Sequence, residues 1–330
     1  MKEKRILVIG GAGYIGSHFT YYATGAGCHV TVVDNLSKGH LSALRGNAFF
    51  RADLNDPAVI LEHLSDNHYD GIFHFAASCL VGESMSDPAH YYQNNILAPF
   101  NMLEAMRATR HDKIVFSSSC AVYGAPRTLP LKEGHPKDPI SPYGRTKLAI
   151  EWMLEDYGRA YGIRSASLRY FNAAGCEPSE GLGEDHRPET HLIPNAVRYA
   201  LKLDDRFAIF GNDYPTPDGT CVRDYIHVMD LAEAHLIALE KLAEASLIRL
   251  NLGTGSGFSN LEIVQAVSRV AKMELRPEIG PRRPGDPPEL VADASESFDF
   301  LGWRPVRSQL DAIISEVWKW ISDNPAGYPE

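Results

Sequence analysis

The segment from Arg5 to Gly16 constrains the fold more than any other. An apolar run, Arg5-Ile6-Leu7-Val8-Ile9, passes directly into Gly10-Gly11-Ala12-Gly13-Tyr14-Ile15-Gly16 and then into a helical pattern, so the chain reads as strand, glycine turn and helix. Glycines at positions 10, 13 and 16 permit a tight turn. They also let the backbone approach an anionic group closely and leave the N–H groups of the helix start to bind it. This GxxGxxG spacing differs by one residue from the GxGxxG fingerprint but does the same physical work. A second apolar run, His29-Val30-Thr31-Val32-Val33, ends in Asp34-Asn35. An acid about twenty positions beyond the glycines can bind the adenosine ribose hydroxyls and repels a 2′-phosphate. NAD is therefore the expected cofactor, in preference to NADP.

Strand-like and helix-like segments alternate through the first half. Strands are expected at 5–9, 29–33, 48–51, 71–75, 113–117 and 164–169, and helices between them include 14–25, 95–110 and 143–161. Such alternation implies an α/β fold: a doubly wound parallel sheet covered on both faces, with ligands at the carboxyl ends of its strands. Asp53-Leu54, His74-Phe75-Ala76-Ala77 and Ser117-Ser118-Ser119 follow or end the third, fourth and fifth strands. All three groups are expected to line the cofactor crevice.

Chemistry is suggested by Ser141-Pro142-Tyr143-Gly144-Arg145-Thr146-Lys147. Tyrosine and lysine four apart on a helix share a face, and Pro142 suits the helix start. A phenol with an ordinary pKa of ~10 is a poor base at neutral pH, and a nearby ammonium is expected to lower it. The second half is richer in loops. Its segments 176–190 and 277–288, the latter with Pro277, Pro281, Pro284, Pro287 and Pro288, are long connections of the kind that carry function. Arg223-Asp224 and Arg282-Arg283-Pro284-Gly285-Asp286 place arginine near aspartate, and arginine suits bidentate phosphate contact. Asn251-Leu252-Gly253-Thr254-Gly255 lacks a GK[ST] ending and reads as a structural turn.

Composition narrows the partners. A net charge of −10 without a basic run argues against nucleic acid or an anionic membrane. The first strand begins at Arg5, which reads as leaving no room for a signal peptide, and no apolar stretch approaches the ~20 residues of a membrane span. A cytoplasmic location is the expectation. The five cysteines show no CxxC spacing and the thirteen histidines no HExxH motif, so reduced thiols and no metal are expected.

Taken in order, GGAGYIGSH, DNL, HFAA, VGES, SSS, SPYGRTK, RYFNAAG, VRDYIHV and RRPGD resemble the extended short-chain dehydrogenase/reductase family, and within it the branch that inverts carbon 4 of UDP-sugars. The resemblance covers nearly the whole chain. It implies a Rossmann domain over 1–172 and a smaller UDP-sugar-binding domain over 173–330, with 226–255 crossing back to the first. It further implies a tightly held NAD, a UDP-hexose substrate and a homodimer formed through helices near 95–110 and 147–161. Tyr143 would be the base, Lys147 would bind the nicotinamide ribose, and Ser119 would share the proton. Gly10, Gly13, Tyr14, Ile15, Gly16, Asp34, Asn35, Asp53 and Leu54 match cofactor positions. So do Phe75, Ala76, Ala77, Asn95, Ser117 and Tyr170, together with Tyr143 and Lys147 themselves. Besides Ser119 and Tyr143, the substrate positions are Asn172, His191, Leu192, Phe210, Arg223, Arg283, Asp286 and Leu290, with Phe210 against uracil.

Three positions depart from the family pattern. Ser78-Cys79-Leu80 stands where one branch has lysine before VGES. Cys120-Ala121 replaces a common alanine-threonine pair, which suggests sensitivity to thiol reagents. Leu290 occupies a position where tyrosine excludes N-acetyl sugars in some members. UDP-N-acetylglucosamine therefore stays open as a substrate, as does UDP-glucuronate. Dehydratases and decarboxylases of the family need a carboxyl group beside Ser119, where this chain has cysteine and alanine. A non-catalytic NAD sensor would be expected to lack the tyrosine or the lysine.

Overall fold

The computed structural model describes residues 3–283 and 285–329; Pro284, one of the loop prolines singled out above, lies outside them. The first half alternates strands and helices in chain order: β1 Arg5–Ile9, α1 Tyr14–Gly25, β2 His29–Asp34, β3 Ala48–Arg51, α2 Pro57–Asp66 and β4 Gly71–His74. After the short helices α3 Val81–Ser86 and α4 Pro88–Tyr92 come α5 Ala98–Thr109, β5 Lys113–Ser119, α6 Pro142–Tyr161 and β6 Arg164–Tyr170. The second half holds β7 Asn172–Ala174, α7 Leu192–Ala200, β8 Ala208–Phe210, β9 Val222–His227, α8 Val228–Lys241 and β10 Leu247–Leu252. It closes with β11 Gly257–Ser259, α9 Asn260–Ala271, β12 Glu278–Gly280, β13 Glu289–Leu290, α10 Ser295–Leu301 and α11 Leu310–Asp323.

Seven strands form one parallel sheet in the order β10-β6-β5-β4-β1-β2-β3. Its strands are apolar on both faces, as a sheet covered on both sides requires. One face packs Phe19, Leu231, Leu236 and Leu239 against Val8, Phe73 and Val115. The other packs Ile60, Met102, Leu103, Ile150 and Leu154 against Leu7, Ile72 and Phe116. Strand order reverses between β1 and β4, which opens a crevice at their carboxyl ends. The six strands and three helices expected from the sequence are present. Several bounds shift by one or two residues, and one differs in kind: Gln93–Leu97 forms a π-helical turn ahead of α5, so the expected helix 95–110 is a π turn continued by an α-helix.

A smaller sheet, β11-β9-β13 with β7 also on β9, lies beyond β6, and β8 pairs with β12. Helices α7, α9 and α11 share a separate core built on Ile193, Val197, Ile263, Val267, Ile314 and Trp320. Chain connectivity crosses between the two parts: β9 belongs to the small sheet, α8 packs on α1, and β10 extends the large sheet beside β6.

Helix α6 is fixed at both ends. Ser141 caps it, its Oγ accepting from Gly144 N at 3.2 Å, Pro142 occupies the first turn, and Gly162 ends it in a left-handed conformation, φ 76°. Its middle is anchored by a buried ion pair between Glu151 and Arg169 of β6, both 1% exposed. Ser118 Oγ donates to Glu151 at 2.6 Å, and Arg169 also donates to Tyr123 Oη at 2.9 Å. The tyrosine in turn donates to Asn251 at 2.6 Å. The network ties α6, β5, β6 and β10 together under the carboxyl end of the sheet.

Candidate active site

The glycine turn is shaped by contacts that exclude side chains at two of its three key positions. Gly10 has φ +76°, and a Cβ there would lie 2.5 Å from Ala76 N; one on Gly16 would lie 2.1 Å from Gly10 O. Gly13 is different, because a Cβ would meet only Gly10 O, at 3.5 Å. Nothing among the described residues forbids a side chain at Gly13, so the glycine there keeps the approach to the start of α1 open. Gly13 is the N-cap of α1 and provides no side-chain cap, and the first turn carries no acid. The positive end of the helix is thus left for an anion. Asp34, at the end of β2, accepts from Ala12 N at 3.0 Å and Leu36 N at 2.8 Å. Asn35 donates to Asp53 at 3.1 Å, which joins the ends of β2 and β3. Buried Leu54 follows, its carbonyl held by Asn101 at 2.8 Å. These residues fit a bound dinucleotide: a bare helix start for the pyrophosphate and a carboxylate one strand away for the ribose.

The segment after β4 runs alongside. Ala76 abuts Gly10, while Phe75 packs with Phe19 and His235. Asn95, in the π turn, uses its amide as a clamp, accepting from Ser78 N and donating to Ser78 O, both at 2.8 Å. It also donates to Thr146 Oγ1 at 3.3 Å. It therefore holds the loop after Ala77 against α6.

Ser119, Tyr143 and Lys147 meet where β5 ends and α6 begins. Lys147 is buried, donates from Nζ to Ser117 O at 2.7 Å, and lies 4.9 Å from the Phe116 ring centre and 5.9 Å from that of Tyr143. Burial lowers its pKa to about 8, with Cys79 and Glu151 acting in the opposite direction. Burial pushes Tyr143 well above its ordinary value, and a hydrogen bond with Ser119 works against that. This corrects the expectation that Lys147 lowers the phenol. Desolvation outweighs the ammonium, whose nearest bond is to a backbone carbonyl. Ser117 Oγ and Tyr170 Oη hydrogen-bond across β5 and β6, on the same side as Ser119. Cys120 is a second correction: it is buried and burial raises its thiol to about 12, so the sensitivity to thiol reagents expected there is not supported. Cys79 is the exposed cysteine of the region.

The remaining positions lie on the small sheet and its loops. Asn172 opens β7, paired with Tyr225 of β9. Arg223 on β9 is nearly buried; its guanidinium binds Asp286 and donates to Pro287 O at 2.8 Å and Val222 O at 2.7 Å. Leu290 pairs with it in register on β13 and packs on the cluster of Cys120, Val122, Leu148 and Phe171, so it adjoins the end of β5. Farther along, Arg283 stacks over the Phe210 ring at 4.2 Å, and His191 with Leu192 begins α7. Asp224, noted only as Arg223's neighbour, organises the turn after β10, accepting from Thr254 N at 2.9 Å and Gly255 N at 3.1 Å. The Glu151–Arg169 network gives no local signal in the sequence, because its members stand on separate elements.

With this geometry in view, a family model described as "NAD dependent epimerase/dehydratase family" matches residues 6–253. The chain belongs to that family. A curated UDP-glucose 4-epimerase from Halalkalibacterium halodurans is 45% identical to this family member over 98% of the chain and 97% of the relative. Among solved structures, a UDP-glucose 4-epimerase from Brucella ovis in complex with NAD superposes with a TM-score of 0.92 at 48% identity, covering 96% and 97% of the two chains. A UDP-glucose 4-epimerase from Bifidobacterium longum, in complex with NAD+ and UDP, gives 0.94 at 36% identity over 98% and 100%. The similarity therefore spans both parts of this epimerase/dehydratase-family chain.

Proposed function

We propose that the chain interconverts UDP-galactose and UDP-glucose through a 4-keto intermediate, with NAD held through the cycle. The observation that carries this reading is the meeting of Ser119, Tyr143 and Lys147 at the carboxyl end of a parallel sheet whose β1 leads into a bare glycine turn. NAD, held by the glycine turn and Asp34, would supply a reversible hydride acceptor for carbon 4 and a positive charge near Tyr143. Tyr143 takes the proton of the 4-hydroxyl and gives it back, while Ser119 holds that hydroxyl and the phenol in one hydrogen-bonded line. Lys147 binds ribose, and its Ser117 bond fixes the ammonium in place. Grip falls on the UDP moiety: Arg223 and Arg283 neutralise the diphosphate, Phe210 stacks on uracil, and Asn172, His191, Leu192 and Asp286 complete the pocket. The hexose is left loose enough to turn over and present its other face. Fixing the reacting groups in one site removes most of the entropic cost of their encounter.

A second reading, action on UDP-N-acetylhexosamines, is favoured by Leu290 beside the end of β5. The purified protein, without added NAD, is expected to convert UDP-galactose to UDP-glucose and, more slowly, to convert UDP-N-acetylgalactosamine. Reaction of the N-acetyl sugar alone would overturn the hexose assignment.

A further inference from the structure

The loop between β7 and α7, which carries His191 at the rim of the proposed sugar-nucleotide pocket, gathers Glu184, His186, Glu189 and His191. Nδ1 of His191 lies 2.5 Å from Glu184 Oε1 and 3.3 Å from Glu189 Oε1. Nδ1 of His186 lies 3.0 Å from Glu184 Oε1 and 3.7 Å from Glu189 Oε2. One nitrogen or oxygen from each of the four falls within 4.8 Å of the other three. We propose that these side chains bind one divalent cation of the zinc type, as a structural site.

Three observations support the assignment. Nδ1 of His186 is buried and makes no hydrogen bond, although a carboxylate oxygen stands 3.0 Å away. The donor set, two imidazoles and two carboxylates, is one that zinc accepts. Ligand atoms about 2.0–2.2 Å from a tetrahedral ion are separated by roughly 3.3–3.6 Å; the His191–Glu189 spacing of 3.3 Å falls in that range, and the His191–Glu184 hydrogen bond at 2.5 Å would open to admit the ion. Finally, the groups around the cluster are already oriented. Glu189 Oε1 accepts from Thr190 N at 2.7 Å and His191 N at 2.8 Å, which leaves Oε2 free, and Trp320 Nε1 donates to Glu184 O at 3.1 Å. Such outer hydrogen bonds fix ligand orientation in metal sites. No HExxH or CxxC spacing marks these residues, which is why the sequence pointed to no metal.

The site joins two parts of the molecule. His186 packs edge-on against Tyr14 at the start of α1, with ring centres 6.1 Å apart, and His191 directly precedes α7. The cation would therefore hold the loop bearing His191 and Leu192 against the glycine-turn helix. Binding of the ion does not depend on the proposed sugar chemistry; only its influence on substrate grip does.

The test is titration of chelator-treated, dialysed full-length protein with Co2+ and then Zn2+, followed by visible absorption and thermal unfolding. One equivalent of cobalt is expected to give the intense bands of a four-coordinate ion, and zinc should discharge them and raise Tm by several degrees. The double variant His186→Ala/Glu189→Gln should lose both signals and weaken zinc binding at least 100-fold. Absence of the cobalt bands in the wild-type protein, or the same zinc response in the variant, would overturn the proposal and leave an ion-paired network only. The wild-type spectrum decides even if the variant fails to fold. Retained zinc binding without epimerase activity would refute the sugar reading alone.

Discussion

Gly13 and Gly16 stand three residues apart in one turn and answer to different constraints. A Cβ on Gly16 would drive into Gly10 O, whereas one on Gly13 touches the protein only at van der Waals distance. Gly16→Ala is therefore expected to lower stability by about 1–3 kcal/mol. Gly13→Ala should cost less than about 1 kcal/mol yet strip the purified protein of bound dinucleotide. Chemical denaturation and the absorbance ratio at 260 and 280 nm check the two effects separately, and equal behaviour of the variants would contradict the division. At this scale the sequence was most legible where glycine, proline and acid act locally, as in the glycine turn and at Ser141-Pro142. It was least legible where burial decides. Nothing in the spelling of SSSCA or SPYGRTK shows that desolvation raises Cys120 and Tyr143.

Helix α6 shows both faces of the same problem. Its span was readable from the proline start and the alternation of elements, but the sequence did not state where each of its apolar residues goes. The structure sends Leu148, Ile150 and Leu154 inward, along with Leu103 of α5, and leaves Ile96 half-buried. Trp152, 58% exposed, faces outward, as do Leu97 and Phe100 near the start of α5. The homodimer implied by the family resemblance would cover this outward strip. Light scattering is expected to give twice the chain mass for the protein and the chain mass for Trp152→Glu with unchanged circular dichroism; a monomeric wild-type protein would remove the dimer. The π turn ahead of α5 escaped the sequence for a different reason. Helical backbone angles continue through Leu97, φ −65° and ψ −44°, and only the hydrogen-bond step changes. Its effect is to swing Asn95 onto Ser78.

Across the molecule, the parallel sheet followed from the alternation of elements, whereas interactions linking distant elements did not. Glu151–Arg169 and the four-residue loop cluster depend on side chains that only the finished fold brings together. The same holds for three buried histidines. Burial lowers His18 and His235 to about 4 and His74 to about 3. An unfolded histidine titrates near 6.5, so between pH 6.5 and about 4 the unfolded chain binds more protons, and stability falls as pH drops. Each such group steepens the acid limb by about 1.4 kcal/mol per pH unit. Replacing His235, ringed by Phe19, Phe75 and Tyr170, with phenylalanine should make that limb shallower by this amount in urea titrations at pH 5 and 6. An unchanged slope would place the proton elsewhere. No helix among the described residues is long and apolar enough to cross a membrane. The proposed chemistry depends on Tyr143. Turnover of UDP-galactose by Tyr143→Phe beside the wild-type protein, with bound dinucleotide and Tm measured on both, tests it most directly. A loss of about 10²–10⁴-fold in kcat with cofactor and Tm retained is the predicted result; undiminished turnover would contradict the mechanism.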